Sequence, residues 1–87
     1  MMKMTGKTIT LNTPEERLVY FIDMLKDSGI IRFKEEFFEA TGIKRQYYTK
    51  VKNGDVRFTT NHIYQICKHY NLNANWVFGT EENIFLK

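Results

Sequence analysis

The chain has 87 residues, a mass of 10.4 kDa and a formal net charge of +3. This length allows one domain with one small core, and 43% hydrophobic residues are enough to fill it, which argues against disorder of the whole chain. No apolar run is long enough for a transmembrane helix or a signal peptide, so we expect a cytoplasmic protein. The single cysteine, Cys67, excludes an internal disulfide and is predicted to be a core residue.

The first helix is predicted from Pro14 to Asp27. Residues 13–16, TPEE, combine a threonine N-cap, a proline in the first turn and a glutamate placed to complete a capping box. An apolar stripe with helical spacing follows at Leu18, Phe21, Ile22 and Leu25. Gly29 then provides a stop signal shortly after the predicted last residue.

A second and a third helix are predicted next, joined by a glycine turn. Phe33, Phe37 and Thr41 are predicted to share one helical face up to Gly42, which can adopt the left-handed conformation that a tight turn often requires. The third helix is predicted from Lys44 to Lys52 and is ended by Asn53-Gly54. The predicted inner face of this helix pair consists of Phe37, Ile43, Tyr48 and Val51.

The outer face of the third helix has the composition of a nucleic-acid contact surface. Residues 43–58 hold five basic residues and one acidic residue, which favours a polyanionic partner over a merely solvated face. An α-helix fits the DNA major groove, where arginine suits guanine and glutamine suits adenine. The free side chains predicted to contact bases are Arg45, Gln46, Thr49 and Lys50. The predicted phosphate contacts, which set orientation, are Lys34, Lys44, Tyr47, Asn53 and Arg57.

Two further helices are expected to complete the core. Thr59 or Thr60 caps a fourth helix, whose apolar stripe is Ile63, Ile66, Cys67 and Tyr70. Asn73 caps a fifth, from Ala74 to Phe78, in which Trp76 and Val77 close the core. Residues 8–11 alternate like a short strand, and residues 83–86 form either its partner or an apolar tail. The predicted division is an arm at 1–12, a domain at 13–79 and a tail at 80–87.

Over the range from Glu15 to Gly79, a set of residues resembles the pattern of a known protein family. They are Phe37, Gly42, Ile43, Tyr48, Val51, Asn53-Gly54, Ile63, Ile66, Leu72, Asn75-Trp76-Val77 and Gly79. In these residues the chain resembles the lambda-repressor-like helix-turn-helix family of the xenobiotic response element type, which includes phage repressors and Cro proteins. The ending at 79–85, GTEENIF, also resembles that of repressors from Bacteroides-like bacteria and their phages.

The resemblance implies an all-α, five-helix DNA-binding domain in which the second and third helices form the helix-turn-helix. It implies a transcriptional regulator, a repressor of phage or mobile-element type, which binds double-stranded DNA as a homodimer. We expect no enzymatic activity and no cofactor. His62 and His69 stand seven residues apart without companion ligands, so no metal site is expected either. Lys3 and Lys7 are either a disordered end or an arm that follows the DNA backbone.

Three departures from the family pattern affect the helix pair. Phe38 stands where the family has a small residue, which implies a wider crossing of the two helices or an outward-turned ring. Phe33 and Lys34 stand where a polar N-cap and a glutamine are usual, and Phe58 stands where a loop proline is common.

Two alternative functions follow from other features of the chain. An antitoxin would bind a toxin through the acidic face at Glu35, Glu36 and Glu39, or through the apolar tail, and would repress its own operon. A protein-interaction adaptor that has lost DNA binding would explain Phe38 and Lys34. The apolar group Trp76, Phe78, Ile84 and Phe85 is expected either to finish the core or to form the dimer surface.

Overall fold

The computed structural model describes residues 13–86, which form five α-helices with short connections. The helices are α1 (Pro14–Asp27), α2 (Lys34–Thr41), α3 (Arg45–Lys52), α4 (Thr60–Tyr70) and α5 (Ala74–Val77). The all-α prediction is confirmed for this part of the chain. The predicted arm, with its suggested strand and its two lysines, lies outside the described residues. Among the helices described, none is long and apolar enough to cross a membrane.

The core is built on α1, which begins and ends where the sequence predicts. The hydroxyl of Thr13 accepts a hydrogen bond from the Glu16 backbone N–H at 3.1 Å, and the Glu16 carboxylate accepts one from the Thr13 N–H at 3.2 Å. The apolar stripe has no exposed surface; it comprises Leu18, Phe21, Ile22 and Leu25. Complete burial of such a side chain contributes roughly 1.5–3 kcal/mol. α1 therefore provides the surface on which α2, α3 and α5 pack.

The turn between α2 and α3 depends on Gly42, as predicted. Its φ of 77° lies in the left-handed region, and its N–H donates to the Phe38 carbonyl at 2.9 Å. The buried hydroxyl of Thr41 donates to the Phe37 carbonyl at 2.8 Å and accepts from the Ile43 N–H at 3.4 Å. Helix α3 follows with Lys44 as its N-cap, so it begins one residue later than predicted.

The structure corrects the prediction for Phe33. The backbone of Phe33 is extended, with φ of −132° and ψ of 147°, and the residue is the N-cap of α2 rather than part of its inner face. Its side chain makes no capping hydrogen bond and is 60% exposed, whereas Phe37 and Thr41 are buried as expected. The apolar face of α2 thus begins one turn later than the sequence suggests.

Of the two alternatives predicted for Phe38, a wider helix crossing or an outward-turned ring, the outward-turned ring is wrong. Phe38 is buried, with ring centroids 5.9 Å from Phe37 and 5.4 Å from Tyr48, and the Arg45 guanidinium lies 5.2 Å above its ring. The ring therefore fills the space between α2 and α3, where a small residue would let the two backbones approach.

Helix α4 is capped by Thr59 at its start and by Asn71 at its end, and the φ of Asn71, 56°, is left-handed. Of its predicted apolar stripe only Ile66 is fully buried; the others, Ile63, Cys67 and Tyr70, are half-buried. In α5, Trp76 and Val77 are buried as predicted. Phe78 follows the last residue of α5 and is 58% exposed, so it does not finish the core.

The tail pairs with the connection between α4 and α5. Leu72 and Phe85 form an isolated antiparallel bridge, and the backbone N–H of Asn73 donates to the Ile84 carbonyl at 2.7 Å. The buried side chain of Asn73 also donates to the Glu81 carboxylate at 2.7 Å and to the Asn83 carbonyl at 2.9 Å. The Phe85 ring lies 5.8 Å from Phe21. Residues 80–86 of the predicted tail therefore pack against the domain.

Replacing Phe38 with alanine should lower the free energy of unfolding by about 3–5 kcal/mol, because it leaves a cavity between α2 and α3. Phe33→Ala, one turn away and exposed, is the matched control and should change the free energy by no more than about 0.5 kcal/mol. Urea unfolding followed by circular dichroism measures both. Equal effects of the two substitutions would contradict the packing described for Phe38.

Candidate nucleic-acid interface

Helix α3 divides into a buried face and an exposed face. Tyr48 and Val51 are 4% exposed, and Val51 lies beside α1 residues at the rim of a shallow cleft. The four residues predicted to contact bases are all exposed: Arg45, Gln46, Thr49 and Lys50. The helix contains no acidic residue. Its outward surface therefore offers amide, hydroxyl and cationic groups, which can donate hydrogen bonds to base edges and phosphates.

Arg45 is not free, in contrast to the prediction. It is the first residue of α3, and its guanidinium forms an ion pair with the Glu35 carboxylate in the first turn of α2. The same guanidinium stacks on the Phe38 ring. Both charged side chains are more than half exposed, so the ion pair itself is worth no more than about 1 kcal/mol. Glu35 and Phe38 together fix the direction in which Arg45 leaves the helix.

Lys34, a predicted phosphate contact, is engaged inside the fold. Its ammonium lies 2.9 Å from the Asp23 carboxylate of α1 and donates to the Tyr48 hydroxyl at 3.5 Å. The hydrogen bond to Asp23 raises the pKa of Lys34, and burial raises the pKa of Tyr48. With its side chain only 23% exposed, Lys34 links α1, α2 and α3. Its phosphate contact stays a prediction, but its structural role is the better supported.

The other predicted phosphate contacts lie around both ends of α3. Lys44, Asn53 and Arg57 are exposed, the first two as the N-cap and C-cap of the helix. Tyr47 is half-buried, and its hydroxyl donates to the Arg57 carbonyl in the loop that leads to α4. This bond fastens α3 to the loop that Phe58, itself buried, anchors in the core. Burial of the Phe58 side chain thus holds the loop in place at the position where a proline is common in the family.

His62 is a residue of this surface that the sequence reasoning did not identify. The ring Nδ1 of His62 accepts a hydrogen bond from the Thr59 backbone N–H at 3.1 Å, and the backbone N–H of His62 donates to the Thr59 hydroxyl at 3.1 Å. These two bonds complete a capping box. Its ring contacts Tyr47 at 4.8 Å and Phe58 at 5.9 Å between centroids. The available signal was a histidine three residues after a threonine N-cap, where glutamate or glutamine is usual. Partial burial lowers the pKa of His62.

The opposite side of α3 has the reverse charge. A cleft between α1 and α3 is lined by three acidic residues, Glu15, Glu16 and Asp23, together with apolar side chains and Lys52. Lys52 and the ion pair of Asp23 with Lys34 offset part of this negative charge, and the remaining carboxylates make the cleft a poor site for a polyanion. Over residues 13–86 the structure contains no group of histidine, cysteine or acidic side chains that could hold a metal ion.

Comparison of the chain with protein-family models, with curated proteins and with solved structures found no match. A functional assignment therefore depends on the chemistry and geometry of the chain's own residues.

The capping role of His62 should make stability depend on pH. Its folded pKa lies below the unfolded value of about 6.5, so the stabilisation is present above that value and is lost as pH falls through the folded pKa. Protonation also turns Nδ1 into a donor, which ends its bond from Thr59. His62→Gln keeps an acceptor for the capping box but does not titrate.

Thermal unfolding of the native chain and of His62→Gln at a series of pH values from 8 to 5 checks this. The native chain should lose stability relative to the variant as the pH falls below about 6.5. His69→Gln, which replaces the exposed histidine near the end of α4, is the matched control. A stability difference that stays constant over this range would show that His62 does not act as a neutral cap.

Proposed function

We propose that the chain is a sequence-specific DNA-binding transcriptional regulator of the helix-turn-helix type, with α3 as the helix that enters the major groove. The observation that carries the proposal is the division of α3. Its buried face holds it against α1, while its outward face presents an arginine, a glutamine and a lysine. Those side chains match the donor and acceptor pattern of guanine and adenine. The resemblance to the lambda-repressor-like family supports a repressor of phage or mobile-element type.

The ion pair of Arg45 is compatible with contact to a base. An exposed pair contributes about 0–1 kcal/mol, whereas a good bidentate contact between arginine and guanine contributes roughly 1–3 kcal/mol of discrimination. Guanine can therefore replace the Glu35 carboxylate at little cost, but a less suitable base cannot. The negative charge of Glu35 also repels phosphates, so it opposes non-specific binding. We infer that Glu35 increases the sequence selectivity of Arg45.

The two alternative functions receive less support from the contacts of the residues on which they depend. Glu35 is paired with Arg45, and Glu36 with Arg32, so the acidic face proposed for a toxin is partly neutralised within the chain. The apolar tail, proposed as another toxin contact, packs on the domain. Phe38 and Lys34, the reasons for considering an adaptor, both have structural roles around Tyr48.

The proposed regulator binds paired half-sites as a two-fold homodimer. A shallow groove along α4 and α5 suits the dimer surface because all six lining residues are uncharged. A charged residue near the two-fold axis would lie close to the same residue of the second copy and would be repelled by it. The groove is lined by Thr60, Ile63, Tyr64, Cys67, Ala74 and Phe78. Tyr64 and Phe78 are 56% and 58% exposed, which leaves apolar area for a second copy to cover.

Replacing Arg45 or Lys50 with alanine should weaken DNA binding. Arg45→Ala should remove roughly 1–3 kcal/mol and relax the preference at one base position. Lys50→Ala should weaken binding and, if Lys50 contacts phosphate, lower the slope of log affinity against log salt by about one. Titration of labelled random-sequence duplex at several salt concentrations, followed by selection of bound sequences, measures these effects.

Lys26→Ala is the matched control, because it removes one exposed positive charge from the last turn of α1, at a residue that lines neither the cleft beside α3 nor the proposed dimer groove. It should leave affinity almost unchanged. The regulator proposal would be abandoned if the native chain fails to bind duplex DNA at low salt, or if Lys26→Ala weakens binding as much as Arg45→Ala and Lys50→Ala do.

Glu35→Gln should raise the affinity for DNA but lower its sequence selectivity. Removal of the carboxylate frees Arg45 and eliminates a charge that repels phosphates, so affinity for random DNA should rise several-fold while preference for the selected sequence falls. Glu39→Gln, an exposed residue on the same helix, is the control. If the ratio of specific to random affinity is unchanged in Glu35→Gln, Glu35 does not set the selectivity of Arg45.

A further inference from the structure

A cleft of about 300 Å³ opens between α3 and the first turn of α4. It is lined by Gly42, Lys44, Gln46, Tyr47, Lys50 and His62. None of these residues is acidic, and four of them carry nitrogen atoms that can donate hydrogen bonds. The cleft differs in this respect from the acidic one on the other side of α3, and its composition is that of a site for an anion.

The wall of the cleft formed by Tyr47 and His62 is held in place from several directions. The Tyr47 hydroxyl donates to the Arg57 carbonyl, and its ring meets the ring of His62. Because Nδ1 of His62 accepts the Thr59 N–H, the proton of the neutral ring is on Nε2, which is therefore a donor. A donor on a half-buried, fixed ring loses little conformational entropy on binding a ligand, in contrast to the exposed lysines.

We propose that this cleft is a phosphate site, in which Lys44, Lys50 and the Nε2–H of His62 bind the oxygens of one backbone phosphate of duplex DNA. The inference rests on the proposed DNA-binding function and adds a residue of α4 to the contacts made by α3 and its flanks. Two ammonium groups and an imidazole donor match the charge and the oxygen acceptors of a phosphodiester. Lys50 is then a phosphate contact rather than a base contact.

The position of the site explains how α3 would be oriented in the groove. Phosphate contacts fix the register of a protein on the duplex without selecting sequence. A phosphate held between α3 and α4 fixes one side of α3, while Arg45 lies at its N-terminus beside α2. Gln46 lines the same cleft and is exposed, so its amide would lie next to the proposed phosphate.

Two substitutions of His62 test the site without removal of the helix cap. Glutamine and glutamate both complete a capping box with Thr59, but only glutamate places a negative charge at the cleft. Asn61→Glu is the control: it adds the same charge in the same turn of α4, at an exposed residue that does not line the cleft. Circular dichroism and thermal unfolding check that all three variants are folded.

The readout is the affinity for the selected duplex as a function of salt. His62→Glu should weaken binding roughly 10- to 100-fold more than Asn61→Glu, since it opposes a phosphate directly. It should also lower the salt slope by about one, the loss of one phosphate contact, whereas His62→Gln should lose much less affinity. Equal losses in His62→Glu and Asn61→Glu would overturn the site while leaving the DNA-binding proposal intact.

A second experiment tests the phosphate site independently of DNA binding. Inorganic phosphate is titrated into the ¹⁵N-labelled native chain and into His62→Glu, and backbone amide signals are followed. Saturable shifts at Lys44, Lys50 and His62 in the native chain, absent from the variant, support a phosphate site even if duplex DNA does not bind, in which case the regulator proposal fails alone. Shifts that do not saturate, or that persist in His62→Glu, contradict the site.

Discussion

The orientation of α3 is the constraint on which the candidate interface depends. A helix of eight residues is too short to be stable by itself in water, so its stability must come from contacts with the rest of the domain. Tyr48 and Val51 supply these contacts by burial, and the Tyr48 hydroxyl is held by Lys34, which is in turn paired with Asp23. Since Tyr48 and Val51 fix the rotation of the helix about its axis, the side to which the other residues of α3 project is fixed as well.

Features with a local cause could be predicted from the sequence. The bounds of α1 follow from its capping box and apolar spacing, and the left-handed turn at Gly42 follows from the residue type. The burial of Tyr48 and Val51 follows from helical periodicity. In each case the residues that determine the structure lie within one or two turns of each other, so the pattern is visible in a short window of sequence.

Features that depend on contacts between elements could not be predicted in the same way. The ring of Phe38 is buried because Tyr48, ten residues later, and the Arg45 guanidinium cover it. The Arg45–Glu35 pair also joins residues ten positions apart, across the turn. His62 combines a cap that uses an unusual residue type with ring contacts to a different helix, and neither feature has a periodic signature. The candidate site was therefore predicted at the level of the helix but not at the level of its ion pair or its cleft.

The charges on the two sides of α3 bear on where a partner would bind. Carboxylates of α1 and Lys52 line one side, whereas lysines with an imidazole and no acidic residue line the other, so the second side is the more favourable one for a polyanion. The amide signals of the ¹⁵N-labelled native chain, measured while a selected DNA duplex is added, test this most directly. The largest changes should map to residues 44–50 and His62, with little change in the acidic cleft of α1. Changes concentrated in the α1 cleft, or none at all, would contradict the role given to α3.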